Sequence, residues 1–253
     1  MTGGGVIALL VAMAVMGLAI FVVYQYQEQQ RREALQVLAD RMGFSYSPEA
    51  ENALQGALSQ FHLFSQGHAR RMSNVLYGNM DDVTVTIFDY RYTTASGKHH
   101  RTRRQTVLLL ESDRLDLPFF TLRPERLHHK LASALGHQDI DFESHPAFSD
   151  AYLLQGSDEE RVRTLFGAEA LTYYTRHPEL WTEGQGQQLV YYHASKRLDP
   201  ELIRDFVQEG LDVLDLFVQK DDAIGNLDLL DHYLEQARSV VALADSGSGN
   251  RTA

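Results

Sequence analysis

An uninterrupted apolar run near the N-terminus is the strongest pattern along this chain. From Val6 to Tyr24 the sequence reads VIALLVAMAVMGLAIFVVY, and Gly17 is the one residue outside the apolar set. A helix rises about 1.5 Å per residue, so the run extends roughly 28 Å, which matches the hydrocarbon core of a bilayer. The pattern therefore predicts a transmembrane helix over residues 6–24, with residues 1–24 as the membrane anchor.

A cleaved signal peptide is the alternative interpretation of this segment. Signal peptides begin with a cationic region and carry an apolar stretch of about 7–15 residues. Here residues 1–27 contain no charged side chain, the apolar run is longer, and no small-residue cleavage motif follows it. We therefore expect the segment to be retained as an anchor.

Basic residues flank the apolar run on one side. Arg31, Arg32 and Arg41 follow it, whereas no basic side chain precedes it. Because Lys and Arg near a span stay on the cytoplasmic side of the membrane, this asymmetry predicts the orientation of a single-pass protein. Its N-terminus is expected outside and its C-terminal domain in the cytoplasm.

Helical periodicity continues beyond the anchor. Five apolar residues recur at helical spacing before Gly43, namely Ala34, Leu35, Leu38, Ala39 and Met42. The sequence Ser47-Pro48-Glu49 then supplies an N-cap residue, a proline at the first helical position and an acid in the first turn. It predicts a second helix to about Ser59, so residues 25–60 are expected to form juxtamembrane helices.

Strand and helix patterns are grouped separately in the rest of the chain. Residues 71–123 are dense in β-branched and aromatic residues and predict antiparallel strands with a turn at 95–98. Further elements are predicted as helices over 124–136, 157–166, 168–176 and from Asp199 onward, and as a hairpin over 180–194 that turns at 184–186. Ser157 and Glu160 match a capping box for the second of these helices. Residues 61–220 are thus predicted to form an α+β domain.

The C-terminal region carries a heptad pattern. Apolar residues follow one another at spacings of 3, 4, 3 and 4 in Leu227, Leu230, Leu234, Ala237 and Val241. A C-terminal helix is predicted over 221–244. The heptad pattern within residues 222–244 is compatible with two roles for this helix. The helix either packs against the domain or makes the chain an oligomerising scaffold by self-association. Residues 245–253 are expected to be a disordered tail.

Charge is unevenly distributed along the chain. The formal net charge is −11, yet Lys98, Arg101, Arg103 and Arg104 place four cations in the predicted hairpin. A local basic patch beside a membrane anchor is typical of contact with anionic headgroups, so these residues are the candidate lipid- or partner-binding site. A solvated hairpin tip whose charges prevent edge pairing is the alternative. The overall acidity disfavours nucleic acid as a ligand.

One acidic stretch carries candidate metal ligands. In residues 137–145 the ionisable side chains occupy every second position, so in a strand they would share one face. Asp139, Asp141 and Glu143 could then hold a hard cation for a metal-assisted hydrolase. A half-exposed strand with a solvated acidic face is the alternative.

Sequence motifs of catalysis are missing from the chain. It contains no HExxH, CxxC or GxSxG motif, no nucleotide-binding glycine motif and no cysteine. We therefore predict no cofactor and no catalytic residue, and a non-catalytic role is favoured over an enzyme.

Several short strings carry a resemblance to other proteins. They are Asn74–Gly78, Phe88–Thr93, Gln105–Val107, Leu117–Phe120 and Leu122–Glu125, extended by Asp139–Phe142 and by positions between Phe148 and Phe166. In these strings the chain resembles an uncharacterised bacterial family of single-pass membrane-anchored proteins, a domain of unknown function. The resemblance covers roughly residues 6–24 and 61–218. It implies a bacterial inner-membrane protein, and no activity, cofactor or site residue comes with it.

These patterns lead to one functional expectation. The chain is expected to be an anchored interaction domain that binds a protein partner or the anionic membrane surface on the cytoplasmic side.

Overall fold

The computed structural model of the protein describes residues 3–96, 99–125 and 139–218. These residues form a long N-terminal helix followed by an antiparallel sheet with short helices on both faces. The predicted α+β class is therefore confirmed. The helix predicted over 124–136 does not begin at Pro124, because this residue ends a strand, and residues 126–136 lie outside the described residues. The predicted C-terminal helix over 221–244 and the predicted tail also lie outside them.

The elements follow one another as the sequence patterns predict for most of the chain. The helices are α1 (Gly3–Met42), α2 (Asn52–Ala57), α3 (His62–Ser65), α4 (Pro146–Ser149), α5 (Glu159–Leu165), α6 (Ala168–Arg176) and α7 (Ile203–Asp215), with short 3-10 turns at Leu58–Gln60 and Pro200–Leu202. The strands are β1 (Ser45–Glu49), β2 (His68–Met80), β3 (Val83–Ser96), β4 (His99–Glu111), β5 (Leu117–Pro124), β6 (Tyr152–Gly156), β7 (Leu180–Gly186) and β8 (Gln188–His193).

The helix α1 is continuous from the anchor into the domain. Its 40 residues correspond to about 60 Å of helix. The apolar N-terminal part is exposed along its length, and by length and composition it can cross a membrane. Further along the same helix, Leu35 and Ala39 are buried in the core of the domain. The predicted anchor and the predicted amphipathic helix are thus two parts of one helix.

The strands form one antiparallel sheet in the order β1-β2-β3-β4-β8-β7-β5-β6. Alternate residues of a strand face opposite sides, and the two faces bury separate apolar clusters. Val85 and Ile87 of β3 pack with residues of α1 and α4 to α7. Phe88 and Tyr90 pack on the other face against Phe64 of α3 and its neighbours. The C-terminal half of α1 therefore covers one defined face of the sheet.

Two further predicted helix starts are wrong. Ser47, Pro48 and Glu49 lie in β1, an edge strand where a proline without an N–H is tolerated, and α2 begins only at Asn52. The cap of α5 is Asp158, whose side chain accepts from the Arg161 backbone N–H at 3.1 Å. The Ser157 N–H donates to the Phe119 carbonyl of β5 at 3.1 Å, so it is not available for the reciprocal bond from Glu160 that a capping box requires.

The predicted strand over 137–145 is wrong in its described part. Residues 139–142 have no regular secondary structure, a turn follows, and α4 begins at Pro146. The segment runs along the edge of β6, where the Ile140 N–H donates to the Leu154 carbonyl at 2.8 Å. The predicted hairpin over 180–194 forms, and its reversal falls at Gly186-Gln187, slightly later than expected.

Candidate functional site at the junction of the anchor helix and the sheet

The contact between α1 and the sheet is built around one buried carboxylate, Asp89 of β3. Arg31 of α1 donates from Nε and Nη2 to the two Asp89 oxygens, each at 2.8 Å, and from Nη1 to the Leu198 carbonyl at 2.6 Å. Arg197 donates from Nε to Asp89 at 3.0 Å and from its two Nη atoms to Glu28 of α1 at 2.5 and 2.7 Å. We call these four charged residues, Glu28, Arg31, Asp89 and Arg197, the junction lock.

Neutral side chains complete the partners of Asp89. The Asn74 amide donates to it at 2.8 Å, and the Thr106 hydroxyl donates at 3.3 Å. Asn74 lies at an irregularity of β2 between Ser73 and Leu76 and has a φ of +54°. Asparagine enters this left-handed region more readily than most residues. The bulge therefore permits the amide to turn towards the carboxylate.

The charges of the junction lock keep both of its carboxylates ionised. Burial alone would raise the pKa of Asp89, but the hydrogen bonds and charges of Arg31 and Arg197 outweigh burial and lower it. The hydrogen bond from Arg197 likewise lowers the pKa of Glu28. The lock is therefore a fixed ionic contact at neutral pH.

Three arginines form a row beside the lock on the same face of the sheet. Arg71 of β2 lies opposite Arg91 of β3, which lies opposite Arg104 of β4. Like charges at directly opposed positions destabilise a sheet. Arg71 is paired with Glu49 at 2.7 Å in an exposed contact, but no carboxylate in the described ranges lies within salt-bridge distance of Arg91 or Arg104. We call Arg71, Arg91 and Arg104 the arginine row.

A cleft of about 300 Å³ opens between α1 and the arginine row. The charged side chains that line it are the arginine row, Arg32, Arg197, Glu28 and Asp89. Five guanidinium groups thus face two carboxylates, and the cleft carries an excess of three positive charges. In a chain of net charge −11, this is a concentrated positive field.

The cleft lies where the apolar span ends. The guanidinium carbon of Arg104 is 5.4 Å from the centre of the Tyr24 ring, the last residue of the span. Seven residues further along α1, Arg31 meets Asp89. Helix residues nearer the N-terminus therefore meet strand residues nearer the tip of the β3–β4 hairpin. The hairpin continues past Arg104 in the direction of the N-terminal end of α1, by roughly 16 Å of strand for the five residues of β4 that precede Arg104.

The structure divides the predicted basic site between two faces. Arg104 lies on the face of α1 and joins the arginine row. Arg101 and Arg103 lie on the opposite face by strand alternation, and Arg103 donates to the Ser195 hydroxyl at 3.0 Å. Lys98, the fourth predicted residue, lies outside the described residues.

The candidate metal ligands are exposed and do not converge on a cavity. The Asp139 carboxylate accepts from the Leu154 backbone N–H at 3.1 Å, and burial together with the neighbouring Asp141 raises its pKa to about 6. Glu143 lies in the following turn. Within 3–96, 99–125 and 139–218, no group of three His, Asp or Glu side chains is placed to hold a metal ion.

A second polar cluster lies on the opposite face of the sheet. Glu183 of β7 is buried, and its carboxylate accepts from the Leu63 backbone N–H at 3.1 Å and from the Tyr192 hydroxyl at 3.0 Å. Burial raises the pKa of Glu183 to about 7. These contacts fasten α3 to the sheet.

Sequence reasoning missed most of the site. Asp89, Arg91 and Arg71 were not among the expected site residues. A signal existed for two of them, because Asp89 and Arg91 are charged residues at alternate positions inside the otherwise apolar and β-branched run Val83–Thr93. Two charges on one face of a central strand need a partner or a function.

Comparison with known proteins gives one similarity of fold. The chain is similar to the solved structure of the mycobacterial trehalose monomycolate transport factor A, TtfA, with a TM-score of 0.53 and 16% identity. The similarity covers 74% of this chain and 90% of that one. At this identity it shows the fold alone. No family model matches the chain, and a search of curated proteins finds no match.

Proposed function

We propose that the chain is a single-pass, non-catalytic protein of the bacterial inner membrane, whose cytoplasmic domain binds the anionic membrane surface through the basic β3–β4 hairpin. The residues proposed for this contact are those expected from the sequence, Lys98, Arg101, Arg103 and Arg104.

The contact between Arg104 and Tyr24 is the observation that carries the proposal. A tyrosine at the end of an apolar span lies at headgroup level, and Arg104 lies against its ring. Strands β3 and β4 then continue towards the membrane, and the exposed Arg101 lies on this extension. In the proposed orientation the basic hairpin is therefore on the side of the domain that faces the negatively charged inner leaflet.

The fold comparison supports a non-catalytic role. TtfA is named a transport factor, and a role in transport does not require a catalytic site. This chain has a similar fold. Its described part contains a basic cleft and no cluster of metal ligands. A protein partner on the same basic surface is the other candidate expected from the sequence.

Fluorescence from the hairpin tests the membrane contact. The chain has no cysteine, so Ala95→Cys, at an exposed hairpin position, gives a single site for the fluorophore NBD. We expect blue-shifted, brighter emission when the full chain is reconstituted in liposomes with one quarter phosphatidylglycerol, compared with pure phosphatidylcholine. Adding Lys98→Ser, Arg101→Ser and Arg103→Ser should abolish this difference, because the cationic side chains are removed while Arg104 is retained in the cleft.

A matched label at the far end of the sheet provides the control. Asp113→Cys lies in the exposed turn after β4, about 40 Å from the hairpin tip by strand length, and its emission should not depend on lipid charge. A lipid-independent signal at Ala95→Cys would contradict the proposal and direct attention to a protein partner.

The proposed orientation has its own test. A reporter fused after Ala253 that is active only in the cytoplasm should give a signal in bacterial cells, and a reporter active only outside the cytoplasm should not. The opposite pair of results would overturn the location and the leaflet assignment together.

A further inference from the structure

We infer that the cleft between α1 and the arginine row is a stoichiometric binding site for the phosphate group of an anionic membrane lipid. This inference rests on the proposed function for its membrane geometry, and it assigns a discrete site where that function requires only a diffuse surface contact.

The charge of the arginine row is the first argument. Three arginines at directly opposed positions of adjacent strands repel one another. Of these three, only Arg71 has a carboxylate within salt-bridge distance among the described residues. A sequence selected for folding alone has no reason to keep Arg91 and Arg104 opposite each other on one face. Arg104 also contacts the Tyr24 ring, but this contact does not neutralise its charge, and a local rule broken in this way is expected at functional sites. An anion between the arginines supplies the compensation.

The chemistry of the cleft is the second argument. Guanidinium groups present planar pairs of N–H donors that match phosphate oxygens. Arg32 reaches the cleft from α1, opposite Arg91 and Arg104 on the sheet. The volume of about 300 Å³ accommodates a phosphate with a small headgroup substituent. The carboxylates that line the cleft do not compete, because Glu28 and Asp89 already accept from Arg197 and Arg31.

The position of the cleft is the third argument, and it favours a lipid over a free anion. Tyr24 lines the cleft and ends the apolar span, so the cleft opens beside the last turn of the span. The exposed apolar side chains before Tyr24, such as Phe21, are on the bilayer side. A lipid held by its phosphate can therefore lay its acyl chains along α1 without leaving the bilayer.

Native mass spectrometry of the full chain tests the site directly. We expect the delipidated protein in detergent to bind one molecule of dioleoylphosphatidylglycerol in a saturable manner. Arg91→Gln combined with Arg71→Gln should weaken this binding by about tenfold or more, because charged hydrogen bonds to phosphate are lost. The matched control, Arg176→Gln combined with Arg204→Gln, removes two exposed charges that belong neither to the cleft nor to the hairpin, and it should change the affinity by less than about twofold.

Competing ligands distinguish the sources of the phosphate. Dioleoylglycerol, which lacks phosphate, should not displace the bound lipid, and inorganic phosphate should do so only at far higher concentration than the lipid. Displacement by inorganic phosphate at the same concentration as the lipid would overturn the lipid assignment. Equal binding of dioleoylglycerol would overturn the phosphate assignment, and the absence of saturable binding would overturn the site.

Thermal unfolding separates a binding role from a structural one. If the arginine row exists for a ligand, Arg91→Gln should unfold at the same temperature as the wild type or higher when no lipid is present, since it relieves repulsion. Unfolding at a lower temperature would show that Arg91 supports the fold and would contradict the inference. The hairpin fluorescence is independent of these measurements, so a failure of the surface contact and a failure of the cleft site give different patterns.

Discussion

Replacing Asp89 with asparagine would remove one charge and leave the shape of the junction lock unchanged. In the wild type the carboxylate accepts from Arg31 and Arg197, and the Asp89 and Arg31 side chains are only 9% and 10% exposed. Asparagine has nearly the same volume, so Asp89→Asn creates no cavity. Its amide can still accept one hydrogen bond, but it also directs N–H donors at guanidinium donors. Two arginines are then left without their shared counter-charge.

The cost of this change follows from burial. Removing one partner of a buried ion pair destabilises proteins by about 3–5 kcal/mol, because the remaining charge is left uncompensated in a poorly solvated place. We expect Asp89→Asn to fall in this range. For a domain of this size the loss corresponds to a decrease in melting temperature on the order of 10 °C.

Urea unfolding of the full chain in detergent measures the loss. Trp181 is the one tryptophan of the chain and is 9% exposed in the core opposite α1, so its fluorescence reports on the domain and not on the anchor. The control is Asp82→Asn, which removes an exposed contact of 3.4 Å with Arg114 and should cost less than about 1 kcal/mol. If both variants lose equally little, Asp89 does not act as the centre of the lock.

The remaining predictions concern pH and packing. The difference in unfolding free energy between Asp89→Asn and the wild type should stay constant from pH 8 to 5 and become smaller below about pH 4. The reason is that a carboxylate whose pKa is lowered in the folded state contributes stability above its unfolded pKa, and this contribution is lost as the carboxylate is protonated. A difference that already decreases near pH 6 in the same urea titrations would refute this. Gly78→Ala should destabilise by about 1–3 kcal/mol because its Cβ would lie 2.2 Å from the Phe44 ring. Its control, Gly56→Ala in α2, meets no atom within 4 Å and should be neutral or stabilising in the same assay.

Sequence patterns predicted the elements better than their ends or the site. The apolar run at 6–24 and the β-branched run at 83–93 are long, so many residues together indicate each element. The start of α2 was wrong because the pattern at Ser47 fits a helix cap locally, whereas pairing with β2 draws the same residues into an edge strand. Whether these residues form a strand depends on a pairing partner about 30 residues away, so the local sequence does not reveal it.

The site was harder to predict because it is assembled from distant parts of the chain. The predicted cluster of cations at 98–104 is contiguous in sequence, but strand alternation separates Arg104 from Arg101 and Arg103. Its real neighbours, Arg71 and Arg91, are brought in by strand register. Arg31 was read only as an indicator of orientation, and its contact with Asp89 depends on the path of α1 across the sheet. Periodicity determines which face a residue takes, but it does not determine which residues of other elements share that face.

The continuity of α1 limits how the domain can move. A domain on a flexible linker samples many heights and angles above a bilayer, whereas this domain follows its helix, because the helix runs unbroken through Tyr24 to Arg31 and is fixed there to β3. Rotation about the helix axis and tilt of the whole helix are the motions that remain. Tilt responds to the match between the apolar length of a helix and the thickness of the bilayer. If α1 spans the membrane as proposed, a thinner or thicker bilayer would change the angle of the sheet and the distance between the β3–β4 hairpin and the lipid surface. Hydrophobic mismatch would then control the orientation of the domain.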